Sequence, residues 1–244
     1  MKCSEPPQGG ERNERRRRNF NYKTLLKLNY YSCMFTGLIR HIGCLASRHS
    51  RANGARLRVE APPELLARAT PGASIAVMGV CLTATGREDK HFEADLSQET
   101  LSKTTLGSLS IGAGLHLEPA LLAGEPLDGH LVSGHVDGVG HLLERPEAEG
   151  IWRFAIPACL APMLAAKGSV AVDGISLTVV DVASQSFSAA LIPETLAATR
   201  LKNLRQGDGV NIEVDAIGRY VARFMALSRA NERLEDFAKN GWGD

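Results

Sequence analysis

The sequence predicts an all-β protein built from two copies of one antiparallel barrel domain, followed by an amphipathic helix. Three observations lead to this prediction: an internal repeat, short apolar runs with a period of two, and a helical apolar period near the C-terminus. The predicted copies span residues 34–130 and 131–217, and the helix and tail span 218–244. Each copy is long enough to bury a modest hydrophobic core of its own.

The repeat is clearest in the decapeptide SIAVMGVCLT, Ser74 to Thr83, which returns ninety-five residues later as SVAVDGISLT, Ser169 to Thr178. Six of the ten positions are identical, and two more exchange only Ile and Val. The same offset holds for matches between residues 62 and 118, with no insertion or deletion. Matches spread over many residue types indicate duplication of a whole domain rather than a low-complexity echo.

The apolar pattern within each copy indicates β-strands. RLRVE, HFEADL and GLHLE in the first copy alternate or run apolar, as do WRFAI, FSAALI and VNIEV in the second. Turn signals such as NG, PG and GAG separate the runs. Only one short helix per copy is predicted, in PPELLARATPG and PACLAPMLAAKG. So many short strands favour a closed or nearly closed barrel, because closure removes unpaired sheet edges.

A glycine interrupts the duplicated run at the same place in both copies, at Gly79 and Gly174. An isolated glycine inside a strand indicates a bulge or a point where another part of the backbone comes close. We therefore expect a local irregularity or a close approach at this position in each barrel.

The apolar period changes after the second copy. Ile217, Tyr220, Val221, Phe224 and Met225 recur at helical spacing, which predicts an amphipathic helix. Two arrangements are compatible with this pattern: the helix packs on its own barrel, or it lies against the same helix of other subunits. The sequence does not separate them.

Composition excludes several classes of protein. The chain is 44% hydrophobic and 23% charged, as in ordinary soluble proteins, and no apolar run approaches the length of a membrane span. Five scattered cysteines indicate reduced thiols and a cytoplasmic protein. His130 and His135 lack a third ligand at suitable spacing, so we expect no metal.

Residues 1–33 differ from the rest of the chain. They carry eight Lys or Arg and three Glu, whereas the other residues carry twenty basic and twenty-four acidic side chains. Because the body is net acidic and only 5% of residues are aromatic, we do not expect nucleic acid to bind. The segment also lacks the apolar core of a secretory signal. We expect either a disordered extension or a start codon assigned too early, with Met34 as the working first residue.

Five motifs of this sequence together resemble the riboflavin synthase family. The resemblance covers about residues 34–221, and the motifs follow one another in matching order and spacing. They are MFTGLI (Met34 to Ile39), GVCLT (Gly79 to Thr83), GHLVSGHVDGVG (Gly129 to Gly140), DGISLTVV (Asp173 to Val180) and LIPETL (Leu191 to Leu196). The resemblance implies two six-stranded Greek-key barrels and a C-terminal helix that holds a homotrimer.

The resemblance also implies a reaction. Two molecules of 6,7-dimethyl-8-ribityllumazine exchange a four-carbon unit, which gives riboflavin and 5-amino-6-ribitylamino-uracil. No cofactor is implied, because one substrate molecule is the donor and the other is the acceptor. In this family the reacting pair lies between the first barrel of one subunit and the second barrel of its neighbour. Association with lumazine synthase, the enzyme that makes the lumazine, is left open.

The family's ligand sites imply two pockets in this chain. The first is expected to contain Gly37, Leu38, Ile39, Cys81, Leu82, Thr83, Asp95, Leu96, Ser97, Gln98, Glu99, Thr100, Gly134, His135 and Val136, with Ser74 beside them. The second is expected to contain Lys167, Ser176, Leu177, Thr178, Ala190, Leu191, Ile192, Pro193, Glu194 and Thr195. Strand segments of this kind offer backbone donors and acceptors to the edge of a flat heterocycle.

Five residues are candidates for a part in the chemistry. We hypothesise that Ser176 and Thr178 deliver a hydroxyl or water, that His135 assists proton transfer, and that Asp215 orients that group. Cys81 is the fifth candidate, in the first pocket. The alternatives are structural: hydrogen bonding for His135, core packing for Cys81, and solvent exposure or turn capping for Ser176 and Thr178.

One residue departs from the family pattern. The family usually has Asn where this chain has Met78, so a polar link is missing from the first pocket.

Two other functions compete with the enzyme. Lumazine-binding antenna proteins of luminous bacteria share the fold and only bind the chromophore, but they degrade the second-copy motifs that are intact here. A flavin-binding oxidoreductase barrel would need a nicotinamide-binding half, and the chain has no G-x-G-x-x-G opening a βαβ unit.

Overall fold

A computed structural model describes residues 34–146 and 150–240, and it describes side chains as far as residue 228. The expectations for residues 1–33 and for the last four residues of the tail lie outside the described residues. The described chain forms two closed six-stranded antiparallel barrels and a C-terminal helix, which confirms the predicted fold class.

The first barrel closes in the order β1-β2-β5-β4-β3-β6. In this order β2 pairs with β5, and β6 lies between β3 and β1. Two connections therefore cross the barrel ends, as in a Greek key. Its strands are β1 (His41–Arg51), β2 (Gly54–Glu60), β3 (Ser74–Val77), β4 (Val80–Arg87), β5 (His91–Ser97) and β6 (Gly114–Pro119).

The second barrel repeats this topology, with the closed order β10-β11-β8-β7-β12-β9. Its strands are β7 (Gly138–Glu144), β8 (Gly150–Ala155), β9 (Ser169–Val172), β10 (Ile175–Ala183), β11 (Ser186–Leu191) and β12 (Gly209–Val214). Register shifts recur at equivalent points of the two copies, in β1 and β7 and again in β4 and β10. The duplication therefore extends to the irregularities of the strands.

The helices agree only in part with the sequence. The α-helices are α1 (Pro63–Leu66), α2 (Gln98–Lys103), α3 (Pro193–Ala198) and α4 (Ala216–Asn240). The helix predicted in PACLAPMLAAKG is only a 3-10 turn, Ala161–Met163. Helices α2 and α3 were not predicted, because each is a single short segment of six residues without an apolar period of its own.

Each barrel encloses its own core of Leu, Val, Ile and Phe side chains. The second core also contains Trp152, Phe154 and Phe187, whose rings stack in series with centroid distances of 6.4 and 5.4 Å. A third, smaller cluster joins the barrels and consists of Phe35, Ala76, Val132 and Ala171.

The glycines that interrupt the duplicated run lie in hairpin turns, so the bulge expected there is absent. Met78 and Gly79 have φ of 51° and 77°, and Asp173 and Gly174 have φ of 49° and 81°. Two consecutive residues of positive φ are typical of the tight two-residue turn of a β-hairpin. The expected close approach is present: a Cβ on Gly79 would lie 2.5 Å from the backbone nitrogen of Gly174. The two turns meet back to back between the barrels.

Helix α4 leaves most of the large apolar side chains between residues 216 and 228 exposed. Ile217 is 72% exposed, Tyr220 76% and Phe224 68%, so this face does not pack on its own barrel. Of the two arrangements compatible with the sequence, packing of the helix on its own barrel is therefore wrong for these residues. Within the described part of the chain, no helix combines the length and the apolar character needed to cross a membrane.

Candidate functional site

Two short segments cross between the barrels, and they organise the candidate site. The first crossing segment, residues 34–39, precedes β1, and the second, residues 130–136, precedes β7. Phe35 and Val132 pair as an antiparallel bridge, with N···O distances of 2.8 and 3.1 Å. Both side chains are buried, so the pairing lies in the interior between the barrels.

A buried glutamate at the end of each barrel's last strand holds one crossing segment. Glu118 on β6 accepts hydrogen bonds from the Thr36 nitrogen at 2.6 Å, the Thr36 hydroxyl at 2.8 Å and the Gly37 nitrogen at 3.1 Å. Glu213 on β12 accepts from the Ser133 nitrogen at 2.7 Å, the Ser133 hydroxyl at 2.6 Å and the Gly134 nitrogen at 2.9 Å. Burial raises the pKa of Glu118, while its hydrogen bonds to Thr36 and Gly37 act in the opposite direction.

Each crossing segment then passes to the opposite barrel. The Ser176 nitrogen donates to the Gly37 carbonyl at 2.8 Å, and the Cys81 nitrogen donates to the Gly134 carbonyl at 2.9 Å. Both glycines have positive φ, and a Cβ on either would lie within 2.7 Å of the facing Cβ, as measured to Ser176 or Cys81. Glycine is therefore required at both positions.

This exchange corrects the predicted grouping of the pockets. Gly37, Leu38 and Ile39 were expected beside Cys81 in the first pocket, but Gly37 lies against Ser176 and Ile39 belongs to the core of the second barrel. Val136 packs in the same way against the core of the first barrel. The physical reason is the bridge between Phe35 and Val132, which passes each segment over to the other barrel before its own first strand begins.

Ser176 contacts a histidine, but not the one that the sequence favoured. The Nδ1 atom of His130 lies 2.7 Å from the Ser176 hydroxyl oxygen. The backbone nitrogen of His130 donates to the Thr36 carbonyl at 3.2 Å. His135 is exposed and follows Gly134, which places it on the Cys81 side. His130 is thus a functional candidate that the sequence analysis considered only as a metal ligand.

The surroundings of His130 suit an acid–base role. Burial lowers the pKa of His130, and the negative charge of Asp215 opposes that change. Its Nε2 atom is buried and has no hydrogen-bond partner among the described residues. Asp215 follows β12 and accepts a hydrogen bond from the Ile217 nitrogen at 2.9 Å, at the start of α4. An imidazole within hydrogen-bond distance of a hydroxyl is placed to act on it as a general base or acid.

The duplicated motif presents the same pattern of exposure in both barrels. On β4, Cys81 is half-buried, Leu82 is buried and Thr83 is exposed; Ser176, Leu177 and Thr178 repeat this order on β10. Ser74 pairs with Thr83, just as Ser169 pairs with Thr178. The predicted strand residues of the two pockets therefore occupy equivalent surfaces.

The other predicted pocket residues lie where β5 and β11 end. Asp95, Leu96 and Ser97 finish β5, and Gln98, Glu99 and Thr100 begin α2, with the Ser97 hydroxyl accepting from the Thr100 nitrogen at 3.0 Å. Ala190 and Leu191 finish β11, Ile192 follows, and Pro193, Glu194 and Thr195 begin α3. These strand-to-helix turns are equivalent in the two barrels.

Two predicted binding residues have unexpected surroundings. The Arg56 side chain binds both carboxylate oxygens of Asp95, at 2.6 and 2.7 Å, and this hydrogen bonding lowers the Asp95 pKa. Lys167 is exposed and has φ of 68°, where the first copy has Gly72. A lysine in the left-handed region is uncommon, and such strain often accompanies function.

Sequence reasoning missed Glu118, Glu213 and the pairing of His130 with Ser176. The two glutamates match at the repeat offset of ninety-five residues, which was the available signal. Their role depends on contacts about eighty residues away along the chain, as in the bond from Gly37 to Glu118. No group of three or more His, Cys, Asp or Glu suited to a metal ion occurs among the residues described.

Comparison with known proteins agrees with this architecture. The Lumazine binding domain family matches the chain twice, over residues 36–120 and 133–215. A curated riboflavin synthase from Actinobacillus pleuropneumoniae is 39% identical over 201 residues, which cover 82% of this chain and 93% of that protein. A riboflavin synthase from Brucella abortus is 41% identical over 205 residues, 80% of this chain and 100% of that protein.

Solved structures share the same fold. LumP complexed with 6,7-dimethyl-8-(1'-D-ribityl) lumazine superposes with a TM-score of 0.66 at 20% identity, covering 74% of this chain and 98% of that chain. LumP complexed with riboflavin gives a TM-score of 0.67 at 21% identity, with the same coverage. At this level of identity the likeness establishes the fold alone.

Proposed function

The chain belongs to the riboflavin synthase family, and we propose that it converts two molecules of 6,7-dimethyl-8-ribityllumazine into riboflavin and 5-amino-6-ribitylamino-uracil. One substrate molecule gives up a four-carbon unit and the other accepts it. The observation that supports this proposal most directly is the pair of equivalent surfaces, one on each barrel, that differ in their reactive groups. Two identical substrates with different roles need such a pair.

The difference between the surfaces lies at one strand position. Cys81 in the first barrel is replaced by Ser176 in the second, where the hydroxyl lies 2.7 Å from Nδ1 of His130. A hydroxyl paired with a neutral imidazole delivers or accepts a proton more readily than an isolated hydroxyl does. We assign this pair to activation of the nucleophile that adds to one lumazine, with Thr178 beside it and Asp215 stabilising charge on His130.

We assign the complementary proton transfer, at the acidic methyl group of the other lumazine, to His135. This residue lies on the Cys81 side, so one chain does not place it against Ser176. Both groups act on one substrate pair if the first barrel of one subunit faces the second barrel of another. Holding two rings face to face supplies a proximity effect that reaches roughly 7–11 kcal/mol in favourable cases.

This arrangement requires an oligomer, and we propose a homotrimer. The apolar face of α4 (Ile217, Tyr220, Val221, Phe224 and Met225) is between 47% and 76% exposed in the single chain. An exposed stripe of this size, with helical spacing, is typical of a surface that packs against another subunit. Threefold packing of α4 against its copies would cover it and bring neighbouring barrels together.

We further propose that the trimer acts in the cytoplasm, where the scattered cysteines remain reduced. The implied reaction uses one small molecule both as donor and as acceptor, so we propose that no cofactor takes part. Association with lumazine synthase would supply the substrate directly, and co-sedimentation of the two purified enzymes tests it.

The first test is an assay with the lumazine as the sole addition. The purified chain is mixed with 6,7-dimethyl-8-ribityllumazine, and riboflavin is followed by absorbance. Riboflavin forming at half the rate of lumazine loss supports the proposed dismutation. Tight binding without turnover would contradict it and favour a carrier of the chromophore. A chain that starts at Met34, assayed in parallel, shows whether residues 1–33 obstruct the site.

A further inference from the structure

We propose that Glu118, on the first barrel, is a positioning residue for the pair formed by His130, at the start of the second crossing segment, and Ser176, on the second barrel. This inference rests on the proposed function, because it assigns Glu118 to the second of the two pockets. The Glu118 side chain is hydrogen-bonded to Thr36 and Gly37, and not to His130 or Ser176. It therefore acts on the pair through the first crossing segment.

The crossing segment has two sides with different partners. Its donors point to the first barrel, where Glu118 accepts from the Thr36 nitrogen and hydroxyl and from the Gly37 nitrogen. Its carbonyls point the other way. The Thr36 carbonyl accepts from the backbone nitrogen of His130, in the second crossing segment, at 3.2 Å, and the Gly37 carbonyl accepts from the backbone nitrogen of Ser176, on the second barrel, at 2.8 Å. The Glu118 carboxylate therefore fixes the position of the backbone segment to which both His130 and Ser176 are hydrogen-bonded.

The packing leaves the segment little freedom to move. A Cβ on Gly37 would lie 2.7 Å from the Ser176 Cβ, and a Cβ on Gly129 would lie 2.1 Å from the Thr36 carbonyl oxygen. Glu118 itself is 6% exposed, so water does not replace a lost hydrogen bond without rearrangement. A displacement of Thr36 or Gly37 is thus passed on to His130 and Ser176.

Glu118→Gln is the sharpest change, because glutamine has nearly the same shape. Its amide nitrogen donates and does not accept, so one of the three donors of the segment loses its acceptor. Glu213→Gln is the matched control. Glu213 makes the equivalent three bonds to Ser133 and Gly134, and that segment rests on Cys81 in the first barrel.

Double-mutant kinetics test the inference on the folded enzyme. We expect Glu118→Gln to lower kcat by about tenfold to a hundredfold, as misplacement of a reacting group does. Added to Ser176→Ala, it should cost little more, because the pair it positions is already lost. For Glu213→Gln combined with Ser176→Ala, the fold losses in kcat of the two single variants should instead multiply. Multiplicative losses for Glu118→Gln with Ser176→Ala would overturn the inference.

A second measurement does not depend on turnover. In protein labelled with carbon-13 at the histidine rings, Glu118→Gln should shift the His130 resonance most. Glu213→Gln should mainly shift the resonance of His135, which follows Gly134, and should move that of His130 less. An unshifted His130 signal in Glu118→Gln, or equal shifts in both variants, overturns the positioning role even if the wild-type chain makes no riboflavin. Absence of riboflavin from the wild type, with the selective shift present, would contradict the proposed function alone.

A milder variant serves if Glu118→Gln does not fold. Thr36→Val removes the hydroxyl that donates to Glu118 at 2.8 Å and accepts from the backbone nitrogen of Leu38 at 3.1 Å, and it leaves both backbone donors to Glu118 in place. It should shift the His130 signal in the same direction by a smaller amount. No shift in this variant would also contradict the inference.

Discussion

Met78 and Asp173 occupy the same position in the two barrels, the first residue of a hairpin turn, with φ of 51° and 49°. Each turn is bound by the other barrel: the side-chain nitrogen of Asn211 donates to the Met78 carbonyl at 2.8 Å, and Nδ1 of His116 lies 3.0 Å from the Asp173 carbonyl. The turns are therefore part of the joint between the barrels, although their side chains differ in chemistry.

Met78→Asn should stabilise the protein. A left-handed conformation costs an ordinary residue roughly 1–2 kcal/mol, and asparagine tolerates it better, so we expect a gain of about 1 kcal/mol in the free energy of unfolding. The asparagine amide oxygen would also replace the Met78 sulfur, which now accepts a hydrogen bond from the backbone nitrogen of His116 at 3.2 Å. Urea titration of both proteins measures the change.

Met78→Leu is the control for this prediction. Leucine keeps an apolar side chain in the buried site and keeps the cost of positive φ, so it should give no gain. A lower unfolding midpoint for Met78→Asn than for the wild type would show that lost apolar burial outweighs the relief of the turn.

Asp173→Asn should change the dependence of stability on pH. Burial raises the pKa of Asp173 to about 7, so its contribution to stability is full below pH 3.8 and is lost as the pH rises through 7. Asparagine keeps an acceptor for the Asn211 nitrogen, now 2.8 Å from the carboxylate, and does not titrate. The variant should therefore gain on the wild type as the pH rises from 3.8 to about 7.

His116 has the opposite effect. Burial lowers its pKa to about 4, so its contribution is present above pH 6.5 and is lost as the pH falls through 4. In the wild type the two groups oppose each other over this interval. We expect Asp173→Asn to lose stability more steeply than the wild type between pH 6.5 and pH 4, in denaturation curves recorded at each pH. Parallel curves would show that Asp173 keeps its ordinary pKa.

Removing either member of the His130–Ser176 pair should slow the reaction. We expect Ser176→Ala and His130→Asn each to lower kcat at least tenfold, within the range of general acid–base catalysis. The double variant should be no slower than the worse single variant, because the two groups act together. Initial rates of riboflavin formation provide the measurement, and His49→Ala, an exposed change on β1, is the control. Unchanged rates in both single variants would reject the assignment.

Phe224→Glu should dissociate the proposed trimer. Phe224 is 68% exposed in the single chain and belongs to the apolar face of α4. Light scattering should find three chains of 26.2 kDa in the wild type and one in the variant, with turnover lost as well. Ala226→Glu adds the same charge on the opposite side of the helix and should leave the mass unchanged. A variant that stays trimeric and active would place the interface elsewhere.

The sequence determined much of this protein by itself. The offset of ninety-five residues established two equivalent domains, and period-two runs located the strands other than β1 and β7. β1 was missed because only Leu45 of its eleven residues is buried, and β7 was missed because two of its three buried positions are Gly138 and Gly140, which give no apolar signal. The spacing from Ile217 to Met225 identified the helix and its apolar face. These features are local, so a single stretch of chain specifies them.

Only the tertiary structure decided which barrel each crossing segment serves. The bridge between Phe35 and Val132 joins residues far apart in sequence, and the clamps of Glu118 and Glu213 act over similar separations. Two copies of one motif look alike along the chain, so the repeat does not indicate whether Gly37 faces Cys81 or Ser176. That choice depends on how the two closed barrels meet, because each crossing segment finds its backbone partners only on the other barrel.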